Sequence, residues 1–143
     1  MINLEISRID PTLPLPTYAT PGSVAFDIYA REETAIAPAK LALIPSNLIV
    51  RVPEGYVLLL ASRSSTPLKK GLLTPHGIGI VDQDFCGPTD EMKVQVYNFT
   101  AAEVVIKRGE RIAQALVLPV AKCDLVEVEM TGASRGGYGS TGS

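Results

Sequence analysis

Met92-Lys93-Val94-Gln95-Val96 alternates apolar and polar side chains, the period-two pattern of a strand with one buried face and one wet face. Leu125-Val126-Glu127-Val128-Glu129 repeats it. Working outward, β-favouring runs recur at short intervals, over residues 2–6, 24–29, 41–44, 48–52, 56–60, 78–81, 92–97, 104–106, 112–118 and 125–128. Turn chemistry separates them at Pro21-Gly22, Pro53-Glu54-Gly55, Gly87-Pro88 and Arg108-Gly109-Glu110. Eleven prolines and twelve glycines among many short strands predict an all-β sandwich or barrel. One short helix is expected after Ser64-Ser65, with Thr66 as its N-cap and Pro67 at its first position.

The length of 143 residues fits one domain with a real hydrophobic core. A net charge of -2 excludes the broad basic face of a general nucleic-acid binder, yet leaves room for a small nucleotide gripped by a few cations. Cys86 and Cys123 stand in no metal or redox spacing; with no signal peptide in view, free thiols in a cytoplasmic protein are expected. His76 is the single histidine, so a His/Cys zinc site for base deamination cannot be assembled. No apolar run approaches a membrane span.

Five polar islands interrupt the β pattern. In Pro21–Asp27, Asp27 sits within an apolar strand, and a buried carboxylate needs a cation or a metal-bound water. In Ala61-Ser62-Arg63-Ser64-Ser65, a guanidinium, hydroxyls and helix-start N–H groups suit phosphate oxygens, or serve only as an N-cap. His76–Gly87 places Asp82 and Asp84 two apart, on one face if the chain is extended. Like charges so placed raise one pKa, which would suit a general base holding a water; a hairpin with turn aspartates is the plainer alternative. Gly109–Gln114 carries an uncharged amide, Gln114, in an apolar strand. The fifth island is Arg135-Gly136-Gly137-Tyr138-Gly139-Ser140-Thr141-Gly142. It contains a G-x-G-x-x-G, but only Ser143 follows it here, so no helix is expected to receive a pyrophosphate. What remains is an arm with backbone N–H groups, one cation, two hydroxyls and one aromatic ring, the parts for gripping phosphates and stacking on a base; a frayed, solvated terminus is the plainer alternative.

In order and close to spacing, the five islands resemble the motifs of the trimeric dUTP diphosphatase (dUTPase) family, over nearly the whole chain. Gly79–Phe85 and Gly136–Gly142 carry the resemblance most specifically. It implies a jelly-roll-like β-barrel homotrimer with sites at subunit boundaries, residues 1–132 forming the core and residues 133–143 a glycine-rich lid. It also implies Mg²⁺-dependent hydrolysis of dUTP to dUMP and pyrophosphate, which keeps uracil out of DNA and supplies dUMP.

By the same resemblance, Asp82 would activate the attacking water and Asp27 would hold a Mg²⁺ through water. Arg63, Ser64, Ser65 and Gln114 would meet the phosphates. Backbone from His76 through Gly79, Ile80 and Val81 would read uracil, with Lys93 contributing through its own backbone. Phe85 would pack on deoxyribose. Tyr138 would stack on the base, while Arg135, Ser140 and Thr141 would close over the triphosphate. The chain departs from the family pattern at several points. His76 replaces Asn, Phe85 replaces Tyr, Ser65 replaces Gly, Pro88-Thr89-Asp90 is an insertion, and Arg135 abuts the double glycine.

Uracil and cytosine present opposite hydrogen-bond patterns, so a backbone reader leaves buried groups unpaired with the wrong base, at roughly 1–3 kcal/mol each. The rival readings are a dCTP deaminase of the same fold, with Glu91 as its only local catalytic glutamate, and a nucleotide-sensing trimer with little turnover.

Overall fold

The computed structural model describes residues 2–137. Eleven strands and one helix follow one another: β1 (Glu5–Arg8), β2 (Phe26–Tyr29), β3 (Thr34–Ile36), β4 (Leu41–Pro45), β5 (Leu48–Arg51), β6 (Tyr56–Ala61), α1 (Ser65–Lys70), β7 (Leu72–Leu73), β8 (Gly79–Val81), β9 (Lys93–Asn98), β10 (Val104–Ile106) and β11 (Arg111–Pro119). They pair as a four-stranded sheet ordered β2-β11-β6-β8, a three-stranded sheet ordered β4-β9-β7, and the two-stranded pairs β1-β5 and β10-β3. Every pairing is antiparallel. The late strands β9 and β11 insert between earlier ones, the interleaving of a jelly-roll-like barrel.

Alternation decides what the sheets bury. In β9 the pattern Lys93 out, Val94 in, Gln95 out, Val96 in holds as the sequence predicts. In β2, Phe26 and Ile28 enter the core and Asp27 takes the other face. Ile28, Ile36, Ile44, Val50, Leu58, Leu72 and Ile106 are almost wholly buried in one cluster. Each such aliphatic side chain contributes roughly 1.5–3 kcal/mol through burial.

Two strands, β3 and β7, were not expected; at three and two residues they are too short to show a period. The expected strand at 125–128 does not form. Residues 121–130 carry no regular structure, and Leu125 is 98% exposed. Alternation there has no neighbouring strand to pair with, and a strand without a ladder has nothing to hold it. The last strand ends at Pro119.

The helix starts earlier than expected. Ser64 is the N-cap, Ser65 the first residue, and Thr66 is buried inside the helix rather than capping it. Ser64 lies in the helical region with no side-chain cap bond, so the first turn is held by the Thr66 N–H on the Arg63 carbonyl at 2.9 Å. The helix ends at Gly71, whose φ of 65° is left-handed and whose N–H meets the Pro67 carbonyl. A Cβ at Gly71 would collide with Thr100 Cγ2. Gly71→Ala is therefore expected to lower stability by about 1–3 kcal/mol, read as a lower urea midpoint; an unchanged midpoint would contradict this packing. No helix among the described residues is long and apolar enough to cross a membrane.

Candidate active site

Two groups of polar residues lie on the four-stranded sheet. The first surrounds the end of β6. Gln114 on β11 sits between Asp27 on β2 and Ala61 on β6, in register with both. Its Nε2 donates to the Ser62 carbonyl at 3.0 Å. Asp27 meets Arg63 Nε at 2.8 Å through Oδ1 and Arg111 Nη1 at 3.1 Å through Oδ2. Its side chain is only 13% exposed, so the two cations answer the cost of burying that carboxylate. Ser64 and Ser65 follow at the start of α1. Nearby, Lys70 pairs with Glu110, and burial together with Arg63 pushes the Lys70 ammonium below its ordinary pKa.

The second group lines a cleft of about 650 Å³ formed by Leu60, the 76–82 hairpin, Phe85 and residues 89–93. Strand β8 is the edge of its sheet: β6 pairs with one side, and among the described residues no strand pairs with the other. Backbone N–H and C=O groups on a free edge are available to a ligand. The wall is apolar, with Ile78, Ile80 and Phe85 each more than 40% exposed. Gly79 allows β8 to approach β6, since a Cβ there would stand 3.1 Å from Leu60 Cβ. His76 Nδ1 lies 2.9 Å from the Ile78 carbonyl, which can only accept, so Nδ1 is the donor in that contact.

Asp82 follows β8 at the rim of this cleft and is exposed. The expected shared face with Asp84 is not formed. The strand stops at Val81, and the Phe85 N–H turns back to the Asp82 carbonyl at 3.3 Å. A turn does not keep the two-residue periodicity of extended chain. Gln83 anchors that turn, donating to the Tyr56 carbonyl at 2.9 Å and accepting from Lys122 Nζ at 3.1 Å. Asp90 accepts from the Gly87 N–H at 2.7 Å, and Glu91 accepts from Arg31 at 2.8 and 2.9 Å and from the Asn47 N–H at 2.8 Å. Both Glu91 oxygens are thus engaged, Oε1 by two donors and Oε2 by one, so the carboxylate is held in an ion pair rather than left free to take up a proton.

A dUTPase family model matches residues 12–143. The chain belongs to the dUTPase family. Among curated relatives, a deoxyuridine 5'-triphosphate nucleotidohydrolase of Dictyoglomus turgidum is 39% identical, with 99% of each chain covered. The one from Lactococcus lactis is 38% identical, covering 90% of this chain and 88% of its own. A crystal structure of dUTPase from Streptococcus mutans aligns with a TM-score of 0.77 at 29% identity, over 83% of this chain and 98% of that one. The dUTPase of Staphylococcus bacteriophage 80alpha, as a G164S mutant with dUpNHpp, shares the fold at a TM-score of 0.87 and 22% identity, each chain fully covered.

In this dUTPase the candidate residues fall into the two groups rather than one. His76, Gly79, Ile80, Val81, Asp82, Phe85 and Lys93 line the cleft. Asp27, Arg63 and Gln114 form the other cluster, with Ser64 and Ser65 next in sequence. Val81 pairs with Leu58, three residues before Ala61, so the end of β8 that leads into Asp82 lies about 10 Å along β6 from the cationic cluster. Arg135 is exposed and has no regular structure. Tyr138, Ser140 and Thr141 lie outside the described residues. Arg111 was not singled out from sequence; it stood inside the fourth island, but nothing in the alternation marked its direction.

Proposed function

We propose that this chain hydrolyses dUTP to dUMP and pyrophosphate, as a homotrimer whose sites are each shared between copies. The observation that carries the reading is the cleft along the free edge of β8, flanked by Asp82. A backbone edge offers the alternating donor and acceptor that uracil's O4 and N3–H require, and cytosine inverts both. The backbone of 76–81 reads the base, assisted by Lys93, while Phe85 packs on the deoxyribose. Tyr138 then covers the base.

Asp82 accepts a proton from a water aligned on the α-phosphorus. The water oxygen forms the new P–O bond, the α–β bridging P–O bond breaks, and the electron pair leaves with pyrophosphate. Arg63, Ser64, Ser65 and Gln114 hold the phosphates, and Arg135, Ser140 and Thr141 close over them from a lid at 133–143. The separation between Asp82 and the cationic cluster in one chain supports a site that takes them from different copies. Exposed Leu125, Val126 and Met130 support the same assembly, because such side chains gain by burial on a neighbour.

No three His, Cys, Asp or Glu side chains converge among the described residues. Mg²⁺ keeps several waters and takes phosphate oxygens, so a carboxylate that reaches it through water can help to hold it. Each Asp27 oxygen has a further lone pair beyond its cation, which suits a water of the ion's hydration shell. Bound there, Mg²⁺ would supply neutralisation of the developing pyrophosphate charge. Both cysteines are free thiols, in keeping with a cytoplasmic enzyme.

The test is pyrophosphate and ammonia release from dUTP, dCTP, dTTP and UTP with Mg²⁺. We expect pyrophosphate from dUTP on the order of 100-fold or more faster than from dCTP, from two mismatched hydrogen bonds, and no ammonia from any of them. Equal rates on all four would overturn the base-reading cleft.

A further inference from the structure

We infer that Arg111 is a positioning residue for the phosphate cluster: it gives that cluster its net positive charge and keeps Arg63 available to an anion. The inference rests on the reading of Arg63 as a phosphate ligand. Strand parity argues first. Ala113 and Ala115 on β11 are buried, and Arg111 has their parity, so a regular strand would aim it into the core. The register instead slips between Arg111 and Ala113: Gln114 opposes Asp27, Ala113 opposes Ile28, and Arg111 opposes Tyr29. The extra residue, Ile112, is a bulge that turns Arg111 onto the face of Asp27 and Gln114. A bulge that re-aims one cation onto one carboxylate beside a ligand cluster is a device for placing that cation.

Charge argues second. Asp27 and Arg63 alone make a neutral pair, with nothing left over for a triphosphate. Lys70 adds nothing, because Glu110 already answers it. Arg111 on Oδ2 leaves the Asp27–Arg63–Arg111 group with one net positive charge. It also engages the second carboxylate oxygen, which weakens that oxygen's pull on the Arg63 fork while leaving it a lone pair for a water. Arg63 engages Asp27 through Nε, so its terminal fork remains for an anion. Arg111 itself is half-exposed and acts through Asp27.

The test compares wild type, Arg111→Gln and Arg111→Lys by KM and kcat for dUTP, by the inhibition constant of deoxyuridine, which lacks phosphates, and by melting temperature. We expect Arg111→Gln to raise KM roughly tenfold, the scale of one charge-assisted hydrogen bond. The deoxyuridine constant should stay within about twofold, and Arg111→Lys should restore most of the KM, since the charge matters more than the fork. The KM of Arg111→Gln should also rise less steeply with salt than that of wild type. An unchanged KM would overturn the inference, as would an equal loss of deoxyuridine affinity, which marks a merely structural residue. If wild type released no pyrophosphate from dUTP, the site reading would fall and this inference with it; if wild type is active and Arg111→Gln matches it, only the inference falls.

Discussion

Replacing Asp82 by Asn is expected to lower kcat for dUTP hydrolysis about 100- to 10,000-fold, the range of a positioned general base, while KM moves little. Asp82 is the carboxylate placed for this work by position. It is exposed at the rim of the cleft, directly after the edge strand, and the turn that carries it is pinned through Gln83 to Tyr56 and Lys122. Its own side chain makes no hydrogen bond among the described residues, whereas the other two carboxylates that line the cleft are engaged. Asp90 accepts from the Gly87 N–H, and Glu91 is consumed by Arg31 and Asn47. Asn keeps the size of Asp82 and loses the proton acceptor, so the fold and the base contacts should survive. Near wild-type turnover by the variant would remove Asp82 from the chemistry.

Replacing Glu91 by Ala is expected to cost about 3–5 kcal/mol, because removing one member of a buried pair strands the other. Glu91 is 8% exposed and binds Arg31 through both oxygens. Arg31 keeps Glu32 as a second, more exposed partner, which places the loss at the lower end. A fall in Tm of roughly 10 °C follows for a domain of this size. Glu91→Gln should recover little, since its amide N–H₂ must face either the guanidinium or the Asn47 N–H, and both are donors.

The pH dependence has a definite sign. Burial opposes the Glu91 charge, but Arg31 and the Asn47 N–H outweigh it and hold the carboxyl below its usual 4.5. A lowered folded value means this stability is fully present above 4.5 and is lost as pH falls from there through the folded value. Acid unfolding of wild type should therefore steepen below that pH, and Glu91→Ala should lack that component. A variant with wild-type Tm and an unchanged acid limb would contradict this role.

How legible the molecule was from sequence depended on what each residue reports. Val94 and Val96 announced a strand because burial on one face leaves a two-residue trace, and β9 formed with that facing. Val126 and Val128 left the same trace with no partner strand in their own chain, so alternation over-read them. Asp27 as a buried carboxylate in need of cations was legible from its apolar neighbours, but which cations was not. Arg63 could be guessed from its island. Arg111 depends on a one-residue bulge at Ile112, and a bulge has no compositional signature. Asp82 and Asp84 would share a face only if the strand ran through both, and it ends at Val81, before either.

The central claim is one site assembled from two copies, the cleft with Asp82 from one and the Arg63 cluster from another. Pyrophosphate release from dUTP by a co-refolded equal mixture of Asp82→Asn and Arg63→Gln tests it most directly. Each variant alone should be nearly inactive. Random assembly of a closed oligomer gives about a quarter of the sites an intact cleft beside an intact cluster, so the mixture should regain about that fraction of wild-type activity. A mixture no more active than its components would contradict a site shared between subunits.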